Sequence, residues 1–227
     1  MAKVEKNQSA RTSIDELNES LTGLEQRVEG NKKKLIIYLV VLLVVIGIGL
    51  AIFYSIKSGK ESASEAIAKA DITLAQGNDS LALTQYQAVA AEYSNSVANR
   101  ANLNAAILLY QKGKYQEALE SLNSYDVEDE LVGAAAQSLK GDCYVNLKNL
   151  DEALAAYDKA ISICNGNELY APLFMMKKAT VLTEQKKNAD AKAIYEDIKA
   201  NYVKYVQANQ LNIDKYIERA DFLAGQK

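Results

Sequence analysis

Residues 35–56 carry no charged side chain, with Lys32, Lys33 and Lys34 immediately before them and Lys57 immediately after. As an α-helix this run is about 33 Å long, against a hydrocarbon core of roughly 30 Å in a bilayer. Leu, Ile and Val go all the way round it, with none of the polar stripe that a helix packed on a soluble core would have. A cleavable signal peptide has a shorter apolar core, about 7–15 residues, close to the start of the chain. Here a 34-residue polar stretch comes first, and Lys57, Lys60 and Glu61 occupy the region where small residues would be cleaved. The run is therefore expected to be a retained membrane span, a signal anchor. Gly47 and Ala51 form a small-xxx-small pair on it, which reads either as a close-approach site for another helix or as the ordinary glycine content of a membrane helix.

The span divides the chain into a tail, residues 1–34, and a domain-sized piece, residues 57–227. Lys3, Lys6, Arg11, Arg27 and the three lysines at 32–34 precede it, whereas only Lys57, Lys60 and Lys69 lie close behind. By the positive-inside rule the tail is cytoplasmic and the larger piece exported. From residue 57 onward 19 Lys and Arg stand against 23 Asp and Glu, with no long block of either sign. Phosphate binding needs a basic face, so nucleic acid is not an expected partner. The chain has no His, which removes the commonest general base and the commonest metal ligand. Pro172 is the single proline and glycine is sparse, which points to an all-α fold.

In the tail, Ser13 and Glu16 have capping-box spacing, Ile14, Leu17, Leu21, Leu24 and Val28 form an a/d stripe, and Gly30-Asn31 reads as a stop. A short amphipathic helix is expected there. About two heptads are too few for stable self-pairing in water. A helix lying on the membrane, a weak dimer seam and a dock for a cytosolic partner all remain open.

The exported piece repeats itself. Ala82, Ala118, Ala153 and Ala191 are 36, 35 and 38 residues apart. Twelve residues before each lies a small residue (Ala70, Ala106, Gly141, Ala179), and four after lies Tyr86, Leu122, Tyr157 or Tyr195. This is the tetratricopeptide (TPR) period. Two antiparallel helices touch closely only where small side chains face each other, and a larger residue one turn on fills the groove toward the next unit. The expected architecture is four helical hairpins in an α-solenoid, closed by a C-terminal capping helix over residues 212–224. The early Trp and closing Pro of such repeats are missing, and an insertion near Asn165-Gly166-Asn167 stretches the last spacing; Pro172 stands where the next helix begins.

No catalytic, cofactor-binding or metal-binding residues are expected, and the chain does not read as an enzyme. Cys143 lies in the first helix of its repeat and Cys164 just past the second, which puts the thiols about 15–20 Å apart, beyond bridging distance. The run Asp126, Glu128, Asp129 and Glu130 lacks the alternating oxygens and glycine turn of a calcium loop and reads as a helix N-terminus. What remains is the groove along the first helices. Counting faces from the small residues, its lining would be Ile67, Asp71 and Leu74, then Arg100, Leu103, Ile107, Tyr110 and Gln111. The third and fourth hairpins add Ser138, Asp142, Val145 and Asn146, then Met176, Thr180, Thr183 and Glu184. This mixed, fairly apolar lining suits an apolar or helical segment of another protein; the alternative is that several of these residues pack within the stack.

A short polar tail, one span and a repeat domain, together with Tyr93-Ser94-Asn95-Ser96 before Ala101, the run from Gly113 to Ala118, and Gly141-Asp142, make the chain resemble the YfgM-like family of bacterial inner-membrane proteins over about residues 32–202. The resemblance implies an ancillary, chaperone-like adaptor on the periplasmic side of the Sec translocon. Its partners would be translocon subunits, a membrane-anchored periplasmic folding factor of the prolyl-isomerase type and secreted chains, with no small-molecule substrate. A structural scaffold for envelope assembly or cell division is the alternative.

Overall fold

The computed structural model describes the backbone of residues 13–164 and 166–226, and their side chains except at 13–32, 35 and 55. The tail stripe and its Ser13 cap thus lie outside the described side chains. The described residues form ten helices and no strand: α1 Ser13–Ala75, α2 Asp79–Glu92, α3 Ser96–Gln111, α4 Tyr115–Asn123, α5 Glu130–Asn146, α6 Leu150–Ile163, α7 Ala171–Glu184, α8 Asn188–Asn201, α9 Val203–Ala208 and α10 Ile213–Gly225. Two compact units divide at Ser58/Gly59.

In the first unit, α1 runs through Gly30 and Asn31, correcting the expected stop. A mid-helix glycine costs only about 1 kcal/mol, and the lysines and leucines that follow are good helix formers. From residue 36 to residue 56 every described side chain is exposed. This is the one described segment long and apolar enough to cross a membrane.

In the second unit, the end of α1 pairs with α2, α3 with α4, α5 with α6 and α7 with α8. The small residues meet where the periodicity places them: Ala70, Ala82, Ala106, Ala118, Ala153, Ala179 and Ala191 are all 0% exposed. Tyr86, Leu122, Tyr157 and Tyr195 are buried beside them. Each hairpin turns by one device. Gly77 N–H donates to the Leu74 carbonyl and Asn78 N–H to that of Thr73, and the same two bonds recur at Gly113 and Lys114, Lys148 and Asn149, and Lys186 and Lys187. The first residue of each pair is left-handed, with φ of 78°, 74°, 64° and 61°. Glycine adopts this conformation freely, whereas the two lysines carry a Cβ into it.

Between α6 and α7 the insertion makes a second kind of turn, in which Asn167 Oδ1 accepts from the N–H groups of Leu169 (3.1 Å) and Tyr170 (3.0 Å). Pro172 follows in the first turn of α7, where a missing N–H costs nothing. After α8 comes α9, a short helix that the repeat pattern does not anticipate. Then α10 packs on α8, with Ile213 and Ala220 buried and the Tyr216 ring 5.4 Å from that of Tyr195.

Candidate protein-binding groove

Two buried phenols organise the surface formed by the first helices. The Tyr86 hydroxyl, reaching across from α2, donates to Asp71 Oδ1 on α1 at 2.6 Å, and the Arg100 guanidinium of α3 pairs with the other carboxylate oxygen. Two hairpins further on, the Tyr157 hydroxyl of α6 donates to Asp142 Oδ1 on α5 at 2.7 Å, while Lys177 Nζ of α7 meets Oδ2 at 2.6 Å and the Ser138 hydroxyl at 3.1 Å. Burial, then the bonded Asp71, pushes the Tyr86 phenol up to about 12. Burial and Asp142 raise Tyr157 in the same order. Both phenols therefore stay protonated donors, and each tyrosine and carboxylate is tied to a cation of the following repeat.

The second hairpin lacks this set. After Ala106 comes Ile107 where the first and third hairpins have Asp, and Leu122 stands where they have Tyr. Losing acid and phenol together leaves an apolar window between the two charged clusters. It is a cleft of about 480 Å³ walled by Leu103 and Ile107 of α3, Leu131, Val132, Ala135 and Leu139 of α5, and Tyr170, Leu173 and Phe174 at the start of α7. Ile107, Leu131, Val132, Leu173 and Tyr170 are each 38–42% exposed. Large apolar side chains held open together mark an interaction surface rather than a core.

A second cleft of about 490 Å³ adjoins it, sharing Leu103 and Val132 and bounded by Asp71, Arg100, Glu128 and Asp129. The α4–α5 loop that carries these acids is clasped by Asn99, whose Nδ2 donates to the Asp126 carbonyl (2.8 Å) and whose Oδ1 accepts from the Asp126 N–H (2.7 Å). Asp129 Oδ1 caps α5, accepting from the N–H groups of Leu131 and Val132 at 2.9 and 2.8 Å.

Of the residues read from sequence as groove lining, Ile67, Asp71, Arg100 and Leu103 border the second cleft, and Leu103, Ile107, Ser138 and Asp142 the first. Ile67 and Ser138 are themselves buried. Leu74, Tyr110, Val145 and Met176 are half-buried against the core clusters, and Thr180 and Thr183 border Tyr195 and Tyr216 at the far end. Gln111, Asn146 and Glu184 are exposed outside both clefts. Counting faces from the crossing residues missed the first turns of α5 and α7. The signal was present in Leu131-Val132 directly after the acidic run and in Leu169, Tyr170 and Leu173 around Pro172.

Neither cysteine is set up as a nucleophile. Both are free and buried, and burial, with the neighbouring Asp142 charge, pushes the Cys143 thiol up to about 11. Burial raises Cys164 as well. Among the described residues, no three acidic or thiol side chains converge on a metal-sized site.

A family model described as a tetratricopeptide repeat-like domain matches residues 57–179, more than half of the chain. The chain belongs to the tetratricopeptide repeat-like family. That match spans the first three TPR hairpins and most of α7, and so includes both clefts. Solved structures share the fold. Two crystal structures of MamA align with TM-scores of 0.53 and 0.51 at 19% and 20% identity, covering 74% and 69% of this chain and 94% and 95% of theirs. The TPR-like repeats of a putative kinesin light chain from Podosopora anserina align with a TM-score of 0.50 at 14% identity, covering 70% and 93%. At such identities the likeness is one of fold alone. No curated protein matches the chain.

Proposed function

We propose that this protein is a membrane-anchored TPR adaptor with a cytoplasmic tail (residues 1–34), a single span (residues 35–56) and an exported domain (residues 57–227). It would serve as an ancillary, chaperone-like subunit on the periplasmic face of the bacterial inner membrane, beside the Sec translocon. TPR domains are protein-interaction scaffolds, and the observation that carries the reading is the apolar window on the first helices. Five large side chains are held partly open there on a rigid frame, and the polar groups around them, Ser138, Asp142 and Lys177, already satisfy one another. The lysine-rich flank before the span supports the orientation, and the likeness of the Gly113–Ala118 and Gly141-Asp142 motifs to the YfgM-like pattern supports the translocon as the setting.

A photo-crosslinking residue at Ile107, with one at the exposed Lys159 of α6, outside both clefts, as control, tests this in intact cells. Adducts with translocon subunits and secretory precursors from position 107 and not from 159 are expected. Adducts only with mature envelope proteins would replace the adaptor by an envelope scaffold.

A further inference from the structure

Resting on the reading of this groove as a protein-binding site, we infer the chemistry of its occupant: a helical segment whose apolar stripe ends in Lys or Arg, bound with its basic end at the acidic α4–α5 turn beside Glu128. Three observations lead there.

Apart from Tyr170 in the turn before α7, the wall is helix, which offers no sheet edge to an extended guest. A guest lying in the window must satisfy its own backbone, which a helix does. The charged and serine side chains of the window are already paired with one another, which leaves the Tyr170 hydroxyl as the polar group at its edge. Lys177 is shared between Asp142 and Ser138, so away from the Tyr170 rim apolar guest side chains enter without losing hydrogen bonds to water.

The third observation gives the guest a direction. Through Leu103 and Val132 the window opens into the second cleft, where the charges do not cancel. There Asp71 is neutralised by Arg100, but Glu128 and Asp129 also face the cleft, and Glu130 follows at the start of α5. Asp129 is occupied with the α5 cap. No cation among the described residues pairs with Asp126, Glu128 or Glu130. A helix that fills the window and continues into this cleft therefore meets uncompensated carboxylates, which attract a basic end and repel an acidic one.

The test uses the full-length protein in nanodiscs of zwitterionic lipid, with binding to empty discs subtracted. The probes are two fluorescent peptides of about 16 residues with the same leucine stripe, one ending in two lysines and the other in two glutamates. The lysine peptide is expected to bind at least about ten-fold tighter at low salt, with the difference shrinking as salt screens it. E128Q/E130Q is expected to remove most of that preference, while E152Q/E218Q, which removes two exposed acids elsewhere, keeps it. I107D is expected to abolish binding of both peptides without changing the melting curve.

Equal affinity for the two peptides, with both still lost in I107D, overturns the basic end and leaves the groove standing. A lysine preference that E152Q/E218Q reduces as much as E128Q/E130Q overturns it too, as general attraction to an acidic protein. Binding that survives I107D overturns the groove itself.

Discussion

Gly141 shows how far a single residue decides the packing. A Cβ added there would meet Tyr157 Cε1 at 2.5 Å and Cδ1 at 2.8 Å, and the ring cannot swing away because it is buried and its hydroxyl is tied to Asp142. Alanine would gain about 1 kcal/mol of helix propensity but overpack the crossing at a cost of roughly 1–3 kcal/mol. At Gly133 an added Cβ would meet Val127 Cγ1 at 2.3 Å, yet Val127 is a half-open loop residue free to turn aside. Gly141→Ala is therefore expected to lower stability in urea unfolding, and Gly133→Ala to leave it unchanged or raise it.

The two phenols give a pH signature. Their pKa values are raised on folding, so the stability they contribute is complete below the unfolded tyrosine value of about 10. It is lost as pH rises, because the unfolded chain then gives up protons that the folded one keeps. For Tyr86 the loss falls between about 10 and about 12. Unfolding curves taken across that range are expected to show a steady decline, which Y86F together with Y157F makes shallower. The phenol–carboxylate pairs themselves were only half legible in the sequence. Asp71 and Asp142 stand out because each follows the crossing residue, but their cations do not repeat. Arg100 lies six residues before its small residue and Lys177 two before its own, so a fixed period cannot find both.

At the scale of elements, the hairpins were readable because alternating small and large residues report the crossing geometry directly. The continuation of α1 through Gly30-Asn31 was not, because a cap signal that reads as a stop is weak against good helix formers on either side. Nor was α9, whose six residues are too short to carry a periodic pattern. The capping role read for α10 has a direct consequence. Its Ile213, Ile217 and Ala220 cover the last core cluster with Tyr195 and Ile198, whereas its ion pairs, Lys199 with Asp214 and Lys192 with Asp221, lie on the exposed surface. Exposed pairs add little, so the apolar contacts dominate. Ending the chain at residue 211 is expected to lower the thermal midpoint and make the domain bind a hydrophobic dye, while D214N and D221N leave the midpoint where it was. A truncated protein that melts like the full chain would contradict the capping role.

For the whole molecule, the apolar run and the repeat period together pointed to a TPR protein with a helix long and apolar enough to cross a membrane. The groove emerged differently. Its apolar window comes from what the second hairpin lacks, an Asp and a Tyr replaced by Ile107 and Leu122, and from helix starts brought together only in the folded stack. The central claim is that this window captures other polypeptides. It is tested most directly by affinity purification of the full-length protein from solubilised membranes, comparing the native chain with I107D/L131D, whose two sites are both partly exposed. The account predicts that the polypeptides co-purifying with the native chain fall at least about ten-fold with the variant, as truncating central interface residues does, while its circular dichroism and melting are unchanged. Recovery of the same polypeptides in the same amounts with both proteins would contradict it.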